Sequence, residues 1–208
     1  PATSDLDPDR SWKSNQQLAE KFRDGWESGT HDPAATTELL TALRTGSADD
    51  AATLVVELVN REISPQSIYD ALHLASGELL MRQSGIVALH SMTTTNALRF
   101  LFDNVGTPQT RKMLLLQNAS FLPLFREAMK SRGQIGDSKI DAMTISDAGS
   151  PATVDSTFDA VGKQPMLAAE NAMSFLSSGG NAETLMNAAR RLIFLKGKDA
   201  HDYKFSTA

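Results

Sequence analysis

One feature recurs along this chain: a residue that caps helices is followed directly by proline. The combination occurs at Asp32-Pro33, Ser64-Pro65, Thr107-Pro108 and Ser150-Pro151. Asp, Ser and Thr side chains accept a backbone hydrogen bond at the N-cap of a helix. Proline suits the next position, because a first turn has no partner for the N–H that proline lacks. The pattern predicts helices with sharply defined starts, and Ser47 with the acidic residues after it predicts one more.

The segments after these starts have helical length and helical apolar spacing. The predicted helices span residues 11–28, 33–45, 48–62, 65–82, 86–105, 108–132, 152–162, 165–178 and 181–196. Pro123 lies inside the longest apolar run and is expected to kink or split that helix. Because the connections are short, neighbouring helices should pack antiparallel. We therefore predict an all-α fold, a multi-helix array of antiparallel hairpins with about eight helices.

Two segments depart from the helical pattern. Residues 1–10 are polar, contain two prolines and are predicted to form a tail. Residues 133–151 are dominated by Gly, Ser and Asp, with one short apolar set at Ile140, Met143 and Ile145, and are predicted to form an irregular surface excursion with one helical turn. We expect residues 11–208 to form a single helical domain. Since the chain opens on Pro1 and stops at Ala208 within a segment rich in polar residues, we expect a fragment of a longer protein.

The composition excludes several classes of protein. The chain has 208 residues, of which 41% are hydrophobic, and it contains no cysteine, so thiol nucleophiles, disulfides and cysteine-ligated metals are excluded. A net charge of −5 without a basic stripe argues against a nucleic-acid partner. No apolar run approaches the roughly 18 residues of a membrane span, and no signal peptide opens the chain. We expect a soluble and cytoplasmic protein, and we leave the oligomeric state open.

Two segments hold most of the residues that could do chemistry, 90–99 and 199–208. Each places a histidine and a cation in a largely apolar helical stretch, where unpaired polar groups cost several kcal/mol. His90 shares a helical face with Val87, Ala97 and Leu101, so it is predicted to point toward the core. Such a histidine is either hydrogen-bonded to Thr93 or another nearby acceptor, or it serves a ligand.

A second histidine, His73, follows Asp70 by three residues on a predicted helix. Asp70 is expected to hold one nitrogen of the His73 ring, as carboxylates do for ligand-binding histidines. Ser76 and Gly77 beside it leave room for a ligand or for the close approach of another helix. His31, in a turn before Pro33, is assigned no role.

The third histidine, His201, lies among Lys and Asp residues that are typical of a solvated helix start, with Asp199 as its N-cap. A site built from His73, His90 and His201, with Asp202, would suit iron or zinc. No two of these histidines have the spacing of four that a strong helical metal motif needs, so no metal ligands are assigned. The chain also lacks the G-x-S-x-G, G-x-G-x-x-G and Walker motifs.

The two segments resemble two helices of the questin oxidase-like family, in the same order. The pattern H-x-x-T-x-x-x-A-x-R matches residues 90–99, and the pattern D-x-H-x-x-K-F-x-x-A matches residues 199–208. The best-known members are fungal oxidases that open an aromatic polyketide ring by a Baeyer–Villiger-type oxygen insertion, with NADPH as reductant. The resemblance therefore implies an oxidoreductase that acts on an aromatic or quinone-like small molecule.

The resemblance also implies roles for single residues. His90, Arg99, His201 and Lys204 would be catalytic, and Thr93 and Asp199 would contact the ligand. His73 is also predicted to contact the ligand, on the basis of its helical neighbours rather than of the resemblance. His90 and His201 are then predicted to lie within about 10 Å of each other, so that both reach one ligand. Two alternatives stay open. One is a non-catalytic helical scaffold, and the other is a module that binds haem or a metal through its histidines.

Overall fold

A computed structural model of the chain describes residues 6–143 and 152–204. These residues form α-helices joined by short loops, and no β-strand occurs among them. The helices are α1 (Leu6–Ala19), α2 (Pro33–Thr45), α3 (Ala48–Asn60), α4 (Pro65–Arg82), α5 (Ile86–Asn104), α6 (Pro108–Lys130), α7 (Val154–Val161), α8 (Pro165–Ser177), α9 (Ala182–Lys196) and α10 (Ala200–Lys204). The all-α prediction is confirmed.

The capping residues act largely as predicted. Asp32 accepts from the Ala34 N–H, and Ser64 accepts from the Ser67 N–H. Ser47 forms a reciprocal capping box with Asp50. Thr107 precedes α6 without a side-chain cap bond. The start at Ser150-Pro151 lies outside the described residues, and α7 begins instead after a capping box at Thr153.

The first predicted helix differs most from the observed one. Helix α1 begins at Leu6, inside the segment predicted as a tail, and ends at Ala19 rather than at residue 28. The chain then turns through Gly25, whose φ of 65° is left-handed, into a 3-10 turn over Trp26–Ser28. The turn brings Phe22 and Trp26 edge to face with ring centroids 5.0 Å apart. Packing of these rings thus overrides the helical spacing that the sequence shows.

The described chain divides into two compact units, and the boundary falls between Ser138 and Lys139. We call them the N-terminal unit and the C-terminal unit, in place of the single domain predicted over residues 11–208. The boundary lies within the predicted irregular excursion, where the described residues include a 3-10 turn over Ile140–Ala142. No helix among the described residues is both long enough and apolar enough to cross a membrane.

Helix α6 is the centre of the N-terminal unit, because it packs against all five other helices of that unit. Leu115, Leu116 and Leu122 supply its buried surface. The helix continues through Pro123 instead of splitting there. Proline removes the N–H that would bond the Ala119 carbonyl, and its ring crowds that carbonyl. Pro123 is itself buried, so the packing of α6 in the core favours the continuous helix.

In the C-terminal unit, α7 packs against α8 and α9, and α10 packs against α9. Its buried side chains, among those described, are small: Thr157, Ala160 and Ala168. Helix α9 has no buried residue. This unit therefore has a much thinner core than the N-terminal unit.

Candidate functional site

His90 lies on the exposed side of α5, which corrects its predicted core position. The buried side of α5 consists of Ala88, Leu89, Ser91 and Thr95. The Thr95 hydroxyl donates to Asn118 Oδ1 on α6 at 3.0 Å, and the Ser91 hydroxyl donates to the Ala88 carbonyl at 2.7 Å. Because both hydroxyls are hydrogen-bonded, this partly polar side of α5 can be buried, and His90 is left on the exposed side.

Thr93 bonds the backbone of His90, not its imidazole ring. Its hydroxyl donates to the His90 carbonyl oxygen at 3.4 Å, within the same helix. In the described part of the chain, no hydrogen bond or ion pair involves the His90 ring. The local arrangement is that of an exposed helical surface.

Arg99 joins α5 to α4. Its Nε donates to Asp103 Oδ2 at 2.8 Å and its Nη2 donates to Gln66 Oε1 at 3.1 Å. The guanidinium carbon lies 4.7 Å from the centroid of the Tyr69 ring, a cation–π geometry. Burial raises the pKa of Tyr69, and the Arg99 charge opposes that rise. Arg99 is thus held in place by three partners.

His73 does not pair with Asp70, contrary to the prediction. Its Nδ1 lies 2.8 Å from the Tyr69 carbonyl oxygen. Because a carbonyl only accepts, Nδ1 bears the proton and Nε2 of the neutral ring is an acceptor. Asp70 instead accepts from His31 Nε2 at 2.8 Å and from Gln66 Nε2 at 2.7 Å.

Both histidines line one cleft of about 530 Å³ on the N-terminal unit. Its lining consists of His31, Pro33, Thr36, Thr37, Asp70, His73 and Leu74, and we call it the histidine cleft. Helix α4 supplies Asp70 and His73, which are three residues apart and therefore share a face. The loop before α2 supplies His31.

The loop that presents His31 is held on both sides. The Thr30 N–H donates to the Glu62 carbonyl at 2.8 Å, and the Ser64 N–H donates to the Thr30 carbonyl at 2.9 Å. On the other side, the Asp32 N–H donates to the Ser67 hydroxyl at 2.8 Å. These bonds fix the backbone on each side of His31, so its ring reaches Asp70 in a defined geometry.

A continuous chain of hydrogen bonds connects the histidine cleft to Arg99. It runs from His31 to Asp70, from Asp70 to Gln66, and from Gln66 to Arg99. Two predicted site residues, His73 and Arg99, both contact Tyr69, His73 at its carbonyl oxygen and Arg99 over its ring. The sequence analysis missed His31, Asp70 as its partner, and Gln66. Sequence spacing offered no signal for a pair 39 residues apart.

The histidine cleft does not suit every group that the sequence suggested. NADPH carries phosphate groups, but the lining of this cleft contains an aspartate and neither lysine nor arginine. The histidine cleft therefore does not fit NADPH. Among the described residues, no three His, Asp or Glu side chains are arranged to hold a metal ion.

Asp199 caps the short helix α10, since its Oδ1 accepts from the Asp202 N–H at 3.3 Å. The side chains of His201 and Lys204 lie outside the described part of the structure. Their catalytic roles, and the proximity of His201 to His90, stay predictions. Comparisons with models of protein families, with curated proteins and with solved structures find no match for this chain.

Proposed function

We propose that the N-terminal unit binds a small molecule in the histidine cleft, that His31 accepts a proton from it and that His73 orients it by accepting a hydrogen bond. One observation supports this most directly. Each histidine has one ring nitrogen fixed by a protein acceptor, and the other nitrogen has no hydrogen-bond partner among the described residues. Two imidazole acceptors in one cleft fit a ligand that brings hydroxyl or other N–H or O–H donors.

The pairing of His31 with Asp70 favours proton transfer over simple binding. A carboxylate bonded to one imidazole nitrogen orients the ring and stabilises the imidazolium that forms when the other nitrogen takes a proton. Imidazole is also the side chain that most readily changes charge near neutral pH. His31 would thus act as the base, and His73 would orient the ligand.

A narrower version of the proposal is that the protein is an oxidoreductase and that the ligand is an aromatic or quinone-like molecule. What supports it is the resemblance of residues 90–99 and 199–208, together with proton acceptors that suit a phenol. Leu74 and Pro33 add apolar surface to the same cleft. The scaffold alternative is supported by Arg99, whose contacts with Asp103, Gln66 and Tyr69 join two helices.

The test is a titration of the protein with a hydroxynaphthoquinone, in which binding is monitored through the absorbance of the ionised quinone. His31→Asn should weaken binding by about tenfold or more, since it removes a hydrogen bond between charged groups. His73→Gln should weaken binding by a smaller factor, since it changes a hydrogen bond of a neutral ring. His90→Gln is the matched control, because His90 lies on the exposed side of another helix. Asp70→Asn should retain binding but shift its pH dependence.

The outcomes separate the hypotheses. Loss of binding in His90→Gln alone would place the site at His90 and favour the shared site with His201. Full binding in all variants would remove the histidine cleft from consideration, and no binding to the parent protein would favour the scaffold. Oxygen uptake with NADPH, measured in parallel, tests the oxidase itself.

A further inference from the structure

A second cleft, of about 430 Å³, lies on the N-terminal unit between α1, α5 and α6. Helix α1 contributes Trp12 and Gln16, α5 contributes Leu98, and α6 contributes residues of one face from Gln109 to Phe121. We call it the glutamine cleft, because three of its lining side chains are glutamines. It shares no lining residue with the histidine cleft, so a ligand there does not depend on the function proposed above.

The walls of the glutamine cleft are mostly apolar. Trp12 is 44% exposed, so part of its indole surface is open at the cleft. Leu98, Met113, Leu114 and Phe121 add further apolar surface. Aromatic and aliphatic walls around a few polar groups are typical of pockets that bind small molecules. Such walls match a ligand with an apolar body, and an aryl ring in particular.

Every described side chain that lines the glutamine cleft is uncharged. An ionised ligand gives up its hydration when it enters an apolar cleft, and without an opposite charge in the lining that cost is not offset. A neutral ligand loses far less hydration free energy. The lining therefore favours an uncharged molecule, in contrast to the histidine cleft with its aspartate.

Gln117 supplies a polar group that is held in one orientation. Its Oε1 accepts a hydrogen bond from Asn15 Nδ2. Asn15 is 0% exposed, and its amide also bonds the Ser120 hydroxyl, with Nδ2 donating at 3.1 Å and Oδ1 accepting at 3.3 Å. The oxygen of Gln117 is thus bonded within the protein, whereas its Nε2 has no hydrogen-bond partner among the described residues. The N–H groups of Gln117 are therefore available to a ligand.

Gln16, the neighbour of Asn15 on α1, supplies an acceptor to the same cleft. Its amide, like that of Gln109, has no hydrogen-bond partner within the described part of the chain. A glutamine amide offers a carbonyl oxygen that accepts and an NH2 group that donates. Together with the fixed donor of Gln117, the cleft presents both the donor and the acceptor that an amide group of a ligand requires.

We propose that the glutamine cleft binds an uncharged carboxamide with an apolar, aryl-bearing body. The carbonyl oxygen of the ligand accepts from Gln117 Nε2, and its N–H group donates to the side-chain oxygen of Gln16. The aryl body lies against Trp12 and Phe121. A donor fixed by a buried network gives an apolar pocket its selectivity, because a ligand without an acceptor covers that donor and leaves it unpaired.

The test uses naphthylacetamide, titrated into the full chain by isothermal calorimetry, with naphthylacetate as a comparison of similar shape. We expect saturable one-to-one binding of the amide. The anionic carboxylate should bind more weakly by about tenfold or more, since its charge has no partner in the lining. Gln117→Met keeps the length of the side chain but removes the N–H donors, and it should weaken binding of the amide by about three- to tenfold.

Three further variants locate the site. Trp12→Ala removes an aromatic wall and should weaken binding of naphthylacetamide by about threefold or more. Phe100→Ala is the matched control, because Phe100 is 66% exposed on α5 and does not line the cleft. Gln16→Met should weaken binding by about threefold, and it keeps the test decisive if Gln117→Met fails to fold, since Gln16 is exposed. Thermal unfolding verifies that each variant is folded.

Several results would overturn the proposal. They are no saturable binding of naphthylacetamide to the folded parent, unchanged binding in every folded glutamine variant, and an equal loss in Phe100→Ala. Naphthylacetate that binds as tightly as the amide would reject the uncharged ligand. Tryptophan emission that changes with protein concentration, without any ligand, would assign the cleft to a second copy of the chain. His31→Asn should leave binding of the amide unchanged, and a loss there would move the ligand to the histidine cleft.

Discussion

The N-terminal and C-terminal units are built from the same kind of helix but bury very different side chains. In the N-terminal unit, Leu39, Leu58, Leu72 and Leu115 are each 0% exposed. In the C-terminal unit, the buried side chains among those described are one threonine and two alanines, whereas Phe194 and Leu195 are each 69% exposed. Burial of apolar area contributes about 25 cal/mol per Å², so the first unit has a far larger source of stability.

The comparison shows that helix capping and helix packing are separable. Both units contain a capping box, at Ser47 in one and at Thr153 in the other. Caps define where a helix starts, but they contribute only about 1 kcal/mol each. Most helical stability in proteins comes from packing of an apolar face. The C-terminal unit has well-defined helices with little packing behind them.

The largest expected effect concerns folding of each unit alone. A chain of residues 1–138 should unfold in urea with the same cooperative transition as the whole chain. The fluorescence of Trp12 and Trp26, which both lie in this unit, measures that transition. A chain of residues 139–208 should lose ellipticity gradually, because its few buried side chains cannot offset the conformational entropy. A sharp transition in the second fragment would remove the distinction between the units.

The buried ion pair should show the next largest effect. Glu78 is 2% exposed and accepts bonds from Arg44 at 2.9 and 2.6 Å. Glu78→Ala leaves guanidinium charge buried without its partner and should reduce the free energy of unfolding by about 3–5 kcal/mol. Glu38→Ala, which breaks an exposed pair with Arg61, should cost about 0–1 kcal/mol. Similar costs for the two variants in urea titrations would contradict this view of the core.

Leucine truncations compare the units directly. Leu72→Ala in the N-terminal unit should cost about 2–5 kcal/mol, because it removes buried methyl groups and leaves a cavity. Leu195→Ala in the C-terminal unit should change stability by about 0.5 kcal/mol or less, since that side chain is mostly in solvent already. Tryptophan fluorescence in urea measures the stability change of Leu72→Ala, and far-ultraviolet ellipticity in urea measures that of Leu195→Ala. A large cost for Leu195→Ala would show that its exposed face is covered in solution.

The smallest effects are expected at the caps. Ser47→Ala should lower the stability of the N-terminal unit by about 0.5–2 kcal/mol, because it removes the acceptor for the Asp50 N–H. Thr107→Ala is the matched control within the same unit, since Thr107 makes no cap bond, and its effect should be smaller. Thr153→Ala should leave the tryptophan transition unchanged and reduce only the ellipticity of the 139–208 fragment. If Ser47→Ala and Thr107→Ala lowered the free energy of unfolding equally, the cap bond of Ser47 would not be the source of the lost stability.

The amino-acid sequence by itself determined the fold class and most helix starts. The starts of α2, α3, α4 and α6 fall where Asp32, Ser47, Ser64 and Thr107 predict them. For α2, α3 and α4 this succeeds because a cap bond joins residues two or three positions apart, so its partners are close in the sequence. At α6, where Thr107 makes no cap bond, the start is marked by Pro108 alone. The ends of α2 and α9 at Gly46 and Gly197 follow from equally local signals.

Tertiary structure decided which faces are buried and which polar groups meet. Helix α5 has apolar residues on more than one side, so periodicity could not show that Ser91 and Thr95 would face α6 while His90 faces outward. His31 and Asp70 meet because the loop before α2 is bonded to the start of α4, a contact between segments 39 residues apart. Such pairings depend on packing across the whole unit, and that information is absent from any local stretch of sequence.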